Sequence, residues 1–216
     1  MADADVVITG TILTVDDARP SAEALAVVDG RIIAVGTRSD VAGFIGADTQ
    51  TIDVGDGCVM PGFVEAHGRV TCSIFVDQIH HWGDVIVDGL FGPERGSRWM
   101  PAGSAVAAGM RISLHNDPPV TPEEPLRNIS VAVTRMAPSG RVLAPEERLT
   151  VEQAIRAQTI DAAWQLFTDD VVGSLEVGKY ADMVVLSADP RTVPPEQISD
   201  LDVHATFLAG RQVYRQ

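Results

Sequence analysis

Both ends of the chain carry short apolar runs, alternating or unbroken and rich in β-branched residues. The middle does not. DVVITGTILTV, ALAVVDGRIIAVG and TQTIDV fill the first stretch, to about residue 60, with the period and composition of strands. Asp29-Gly30 between two such runs is a strong hairpin signal, so a small antiparallel sheet is expected there. From Ser39 a short amphipathic turn, SDVAGFIGA, interrupts it. From about Gly173 the same texture returns: GSLEVGKYADMVVLS predicts a turn and a buried strand, and VHATFLAGRQVY two strands joined at Ala209-Gly210. The two ends are expected to pair around an inserted central unit.

The central stretch alternates between strand and helix. SIFVDQI reads as a strand, the alanine-rich run from about Gly96 to Met110 as a helix, RISLHND as a short strand and PLRNISVAVTR as a helix. LTVEQAIRAQTIDAAWQLF reads as one helix, opened by a capping box of Thr150 and Gln153. This alternation is the grammar of a parallel α/β unit, in which functional residues gather at the carboxyl ends of strands. His67, at the end of VMPGFVEAHGRV, and Asp117, at the end of RISLHND, stand at such ends. A closed eight-stranded barrel takes about 250 residues, and the middle has room for only about three strands.

Composition narrows the partners. At 45% hydrophobic and 21% charged, the 216 residues are those of an ordinary folded protein. The 16 Lys and Arg against 30 Asp and Glu give a formal charge of -14. That field repels phosphate backbones and anionic lipid, so neither nucleic acid nor membrane is an expected partner. No apolar stretch approaches the roughly 18 residues that span a bilayer. Cys58 and Cys72 form neither a disulfide framework nor a CxxC site, and no basic, apolar leader opens the sequence; a cytoplasmic protein is expected.

One position is odd. A metal site on the strand ending at His67 wants a second imidazole two residues on, because side chains at i and i+2 share a face, and Arg69 stands there. The ordered blocks DVVITGTILTVDD, ALAVVDGRIIAVG, PGFVEAHG, SLHNDPPVTPEEPLRNISVAVTR, LTVEQAIRAQTIDAAWQLF, GSLEVGKYADMVVLS and ATFLAGRQVY resemble the amidohydrolase superfamily, in its YtcJ-like branch, amidohydrolase family 3. The resemblance implies a metal-dependent TIM barrel with a composite β-sandwich made from both termini. It also accounts for Arg69. Family members place His-x-His on the first barrel strand and reach a block like TCSIFVDQIHHWGDVIVDGLFGPERGSRWMPAGSAVAAGMRISLHND only much later, whereas here that block follows His67-Gly68 directly. The implied architecture is α/β: a partial TIM-barrel-like core over 61–172, plus a β-sandwich formed by the N- and C-terminal segments, 1–60 and 173–216.

The resemblance implies chemistry residue by residue. Asp117 matches the family's strand-eight aspartate, a metal ligand and the general base, and His67 matches the first metal-ligating histidine. The remaining ligands have no matching position, and the sole lysine, Lys179, lies in the terminal sheet. His80, His81 and Trp82, with His115, fall in segments that line the family's substrate region. The implied cofactor is a divalent metal, zinc by preference, and the implied partner a small-molecule amide. Read without the resemblance, His67 equally caps a strand, Asp117 forms a turn before prolines, His115 packs locally, and His80-His81-Trp82 makes a polar loop anchored by tryptophan. His204 belongs to the terminal sheet.

Three expectations compete: a metal-dependent hydrolase of non-peptide or cyclic amides, a non-catalytic remnant or interaction module of that family, and a portion of a longer protein whose middle is absent. Two ligands fall short of the three protein ligands of a catalytic zinc, so the 216 residues alone are expected to be inactive. Strands removed from a barrel leave open edges, so a homo-oligomer is expected.

Overall fold

A computed structural model describes residues 3–64 and 71–216; His67 and Arg69 lie outside the described residues. Its strands are β1 (Val6–Leu13), β2 (Ser21–Val28), β3 (Arg31–Gly36), β4 (Gln50–Pro61), β5 (Cys72–Ile74), β6 (Ile112–Leu114), β7 (Met183–Leu186), β8 (Val203–Leu208) and β9 (Arg211–Arg215). Its helices are α1 (Arg38–Val41), α2 (Gln78–Val85), α3 (Gly92–Gly96), α4 (Ala102–Ala107), α5 (Pro125–Thr134), α6 (Val151–Gln158) and α7 (Ile160–Gln165). The chain divides into two compact units: Met1–Val64 with Phe167–Thr192 and Leu201–Gln216, and Glu65–Leu166 with Val193–Asp200.

The first unit is a seven-stranded sheet in the order β3-β2-β1-β4-β7-β8-β9. Strands from both ends of the sequence meet in its middle, where β4 pairs with β7 from Cys58↔Leu186 to Pro61↔Met183. The sheet is mixed rather than antiparallel, because β1 and β4 run parallel. The reason lies between β3 and β4: α1 and the short 3₁₀ turn Ala42–Phe44 form a crossover, which returns the chain beside β1 in the same direction. The strands of both termini thus share one hydrogen-bonded sheet.

Alternate residues of β1 and β2 supply two cores. Ile8, Ile12, Leu25 and Val27 join Val59, Met183 and Phe207, while Val7, Ala24 and Ala26 pack with Val41 of α1. Burial on both faces explains why these strands read as nearly unbroken apolar runs. The hairpin expected at Asp29-Gly30 forms with φ 48° and 74°, and Ala209-Gly210 repeats it with 46° and 72°; left-handed backbone at both central residues matches the twist of a two-residue turn. The two tips abut, and a Cβ added at Gly30 would lie 2.9 Å from the Ala209 carbonyl oxygen.

In the second unit β5 and β6 form a two-stranded parallel sheet, Cys72↔Ile112 to Ile74↔Leu114. Three sequence expectations need correction here. SIFVDQI is strand only through Ile74, and the Gln78 amide donates to the Phe75 carbonyl (3.2 Å) as the chain turns into α2. The alanine-rich run is broken at Pro101, with Met100 at φ 54°; a proline disfavours helical backbone in the residue before it. The long helix after Thr150 splits into α6 and α7 at Thr159 (φ -132°, ψ -98°), whose hydroxyl takes the Ile155 carbonyl (2.7 Å), a side chain competing with the backbone ladder. The capping box of Thr150 and Gln153 forms as expected.

Arg135 holds the irregular part of this unit. It ends α5 in left-handed backbone (φ 54°) and is fully buried. Its guanidinium donates to the carbonyls of Leu143 (2.5 Å), Met100 (2.8 Å), Trp99 (2.6 Å) and Ser97 (3.4 Å). Burial lowers its pKa to about 10, against the opposing pull of Glu147 and Glu146, so it remains a cation at neutral pH. Glu147 in turn accepts from the Ser104 amide (2.7 Å) and hydroxyl.

The two cysteines differ sharply. Cys58 is buried in β4 and Cys72 exposed; burial, with the charge of Asp189, pushes the Cys58 thiol up to about 12. One thiol per folded chain should therefore react with a disulfide reagent at pH 8, and the second only in denaturant, because thiolate is the nucleophile. Cys72→Ser should abolish the fast reaction, and rapid reaction of two thiols in the native chain would contradict the buried position of Cys58.

Candidate functional site

Parallel pairing sets the carboxyl ends of β5 and β6 side by side. Ile74 stands opposite Leu114, and just beyond them Asp77 and Asn116 meet: the Asn116 Nδ2 donates to Asp77 Oδ2 (3.1 Å). Asp77 is completely buried, and a carboxylate there requires charged or hydrogen-bonding partners. From α5, Arg127 supplies Nε to Oδ1 (3.0 Å) and Nη2 to Oδ2 (3.4 Å). From α2, one helical turn along, His81 Nε2 lies 3.2 Å from Oδ2 and 3.4 Å from Arg127 Nη2.

Asn116 is fixed as firmly. Its Oδ1 accepts from the Glu124 amide (3.1 Å) and from Asn128 Nδ2 (2.9 Å), and the latter also reaches Gln158 Oε1 (3.3 Å). The Glu124 carboxylate contacts Arg127 Nη2. Two carboxylates therefore flank one guanidinium at the strand ends, with an imidazole in contact with both the cation and the buried anion.

An aromatic group lies beside this network. Phe75 packs against His115 (centroids 5.4 Å, 32°) and edge-on to Trp82 (6.3 Å, 87°). His81 lies 5.1 Å from His80 and 5.4 Å from Trp82. His115 Nδ1 bonds Ser73 Oγ (2.7 Å), which also accepts from Ser113 Oγ (2.9 Å). His80 has its pKa lowered by desolvation first; Asp77 opposes this, while Arg127 and His81 add to it.

The residues singled out from the sequence divide on this map. His80, His81, Trp82 and His115 come together; the first three sit on α2, a helix rather than a loop. Asp117 is exposed, and its carbonyl accepts from the Val120 amide (2.7 Å) in a turn. His67 lies outside the described residues, and His204 lies on β8 of the other unit. Among the described residues no three of His, Cys, Asp and Glu converge in a way that could hold a metal ion. The donor set present there does not fit the metal implied by the resemblance. Sequence reading missed Asp77, Asn116 and Arg127. The signal for Asp77 was its spacing of four from His81, hidden because the segment read as a strand.

A parallel strand pair with polar groups at its carboxyl ends, together with a large mixed sheet built from both termini, makes this a mixed α/β protein. The chain belongs to the Amidohydrolase family, whose profile matches residues 69–214. It is 32% identical over 134 residues to the N-substituted formamide deformylase of Arthrobacter pascens, covering 60% of this chain and 24% of that protein. It is 30% identical over 114 residues to YtcJ of Bacillus subtilis (51% and 22%). The chain thus spans about a quarter of the length of these curated relatives. In fold it is similar to a zinc-bound adenosine deaminase from Xanthomonas campestris, with a TM-score of 0.71 at 14% identity, covering 100% of this chain and 94% of that one. Among the described residues no helix is long and apolar enough to cross a membrane.

The network makes a mutational and a pH prediction. Asp77→Ala leaves Arg127 without its buried partner and should destabilise the fold by about 3 kcal/mol, read by denaturant unfolding. Desolvation should make His80 titrate below the ordinary histidine value of 6.5 in ring-proton NMR. Because the unfolded chain then binds its proton first, stability should fall as pH drops through 6.5 and be unaffected by this group above it. A His80 pKa at or above 6.5 would contradict the burial assigned to it.

Proposed function

We propose that this chain serves the hydrolysis of a carbon–nitrogen bond in a small non-peptide or cyclic amide, with a divalent metal, zinc by preference, as the cofactor. The observation that carries this reading is the family match across residues 69–214, which takes in the strand end after β6 where Asp117 stands. The Arthrobacter pascens relative, named for deformylating N-substituted formamides, supports the substrate class.

In this reading Asp117 takes the proton of the attacking water and returns it to the leaving nitrogen, His67 is a metal ligand, and His80, His81, Trp82 and His115 border the amide. We read 61–172 as the surviving part of a (β/α) barrel, and 1–60 with 173–216 as the composite sandwich.

A second reading, a non-catalytic remnant, is favoured by two observations: Asp117 is exposed, and no three-donor set forms among the described residues. The two readings converge on the isolated chain. A catalytic zinc takes three protein ligands and a water, so the 216 residues by themselves should retain less than one equivalent of zinc after dialysis and turn over no amide. Elemental analysis with a screen of formamides and cyclic amides, on wild type, His67→Ala and Asp117→Asn, checks this. Stoichiometric zinc lost in both variants, with turnover in the wild type, would restore an autonomous enzyme and sink the remnant reading.

A further inference from the structure

The parallel pairing of β5 with β6 aligns two hydroxyls. Ser73 stands opposite Ser113 in the register, and alternate side chains of a strand share a face, so Ser73 and Phe75 project together with Ser113 and His115. The other face, with Ile74 and Leu114, is buried. On the first face three polar groups form a line: Ser113 Oγ donates to Ser73 Oγ (2.9 Å), and Ser73 Oγ lies 2.7 Å from His115 Nδ1.

A serine hydroxyl has one proton to give. Because Ser113 occupies an acceptor position on Ser73 Oγ, the proton of Ser73 is directed at Nδ1, which assigns the ring proton of a neutral His115 to Nε2. The imidazole is held in place for this contact. Its ring packs against Phe75 (5.4 Å between centroids, 32°), and its backbone amide donates to the Ile74 carbonyl (3.2 Å). Ser73 and His115 are half-buried rather than sealed, at the carboxyl end of a parallel pair, where functional groups of α/β units gather.

We propose that Ser73 is a nucleophile for acyl transfer, with His115 Nδ1 as its general base, acting on a small neutral ester. A hydroxyl whose proton points at an imidazole is the pairing that activates serine. The second hydroxyl, donating to the same oxygen, favours the negative charge that develops there. In the first step Ser73 Oγ bonds to the acyl carbon and passes its proton to Nδ1; the ester C–O bond breaks, and the leaving oxygen takes that proton and departs as an alcohol. Water then attacks the acyl carbon, giving a proton to Nδ1, and Ser73 Oγ leaves and recovers it as the carboxylic acid is released. A formal charge of -14 repels anionic esters and sets the preference for neutral ones.

This inference stands apart from the amide reading, since neither His67 nor Asp117 takes part. The exposed thiol of Cys72 adjoins Ser73, so the test uses a Cys72→Ala background. With 4-nitrophenyl acetate that chain should release a burst of one equivalent of nitrophenolate and carry an acetyl group on Ser73 by peptide mass spectrometry, with or without a chelator. Ser73→Ala should abolish both with unchanged circular dichroism. His115→Gln still offers an oxygen to the Ser73 hydroxyl but takes no proton, and should slow acylation about a hundredfold. Ser113→Ala should slow it about tenfold, the worth of one hydrogen bond. Absence of the burst, an acetyl group elsewhere than on Ser73, undiminished acylation in His115→Gln, or a requirement for added zinc would each overturn the assignment.

Discussion

The buried carboxylate of Asp77 is the constraint around which the second unit is arranged. A charge with no exposure is tolerated only with partners of the right geometry, and here they come from three separate places: Asn116 after β6, Arg127 in α5 and His81 in α2. Each distance fixes one element against the end of β5. The two strands are only three residues long, too short for their own ladder to hold α2 and α5 in place. A two-stranded parallel sheet is a weak object, and polar bonds at its carboxyl end do what further strands would otherwise do.

Arg135 plays the matching role for the irregular chain. Residues 97–101 form no continuous helix, so most of their carbonyls fall outside a helical ladder, Pro101 excepted through the Ala105 amide (3.2 Å), and buried carbonyls without donors are costly. One guanidinium supplies donors to three of them and to Leu143. The distribution of labour is physically sensible: arginine has five donors in a fixed plane and stays protonated even where burial lowers its pKa. The same logic makes the position demanding, since no other side chain could meet four carbonyls at once.

What was legible in the sequence follows from what is local. The strands of the first unit, both two-residue hairpins and the Thr150–Gln153 box are encoded within a few residues of one another, and they form as read. The parallel pairing of β1 with β4 was missed because it depends on a crossover rather than on either strand's pattern. The split of α6 from α7 was missed because periodicity continues through Thr159 while its hydroxyl captures a backbone carbonyl. Asp77 was overlooked because it ends an apolar run, and of its partners only His81 is local, while Asn116 and Arg127 lie 39 and 50 residues away in sequence. His80, His81, Trp82 and His115 were found as residues, but their grouping around Phe75 is a product of strand pairing that no spacing reveals.

The contrast between the two aspartates at the strand ends is instructive. Asp77 and Asp117 each follow a strand of the same parallel pair, yet one is wholly buried and saturated with donors while the other is exposed in a turn. A carboxylate buried among a guanidinium, an amide and an imidazole is held in one orientation, which suits Asp77 to positioning its neighbours. The exposed carboxylate beside the same strand ends has the opposite character, facing solvent rather than a ring of donors. The described part of the chain thus presents a scaffold fixed around Asp77 and, at the neighbouring strand end, an exposed carboxylate, Asp117, that this scaffold does not hold.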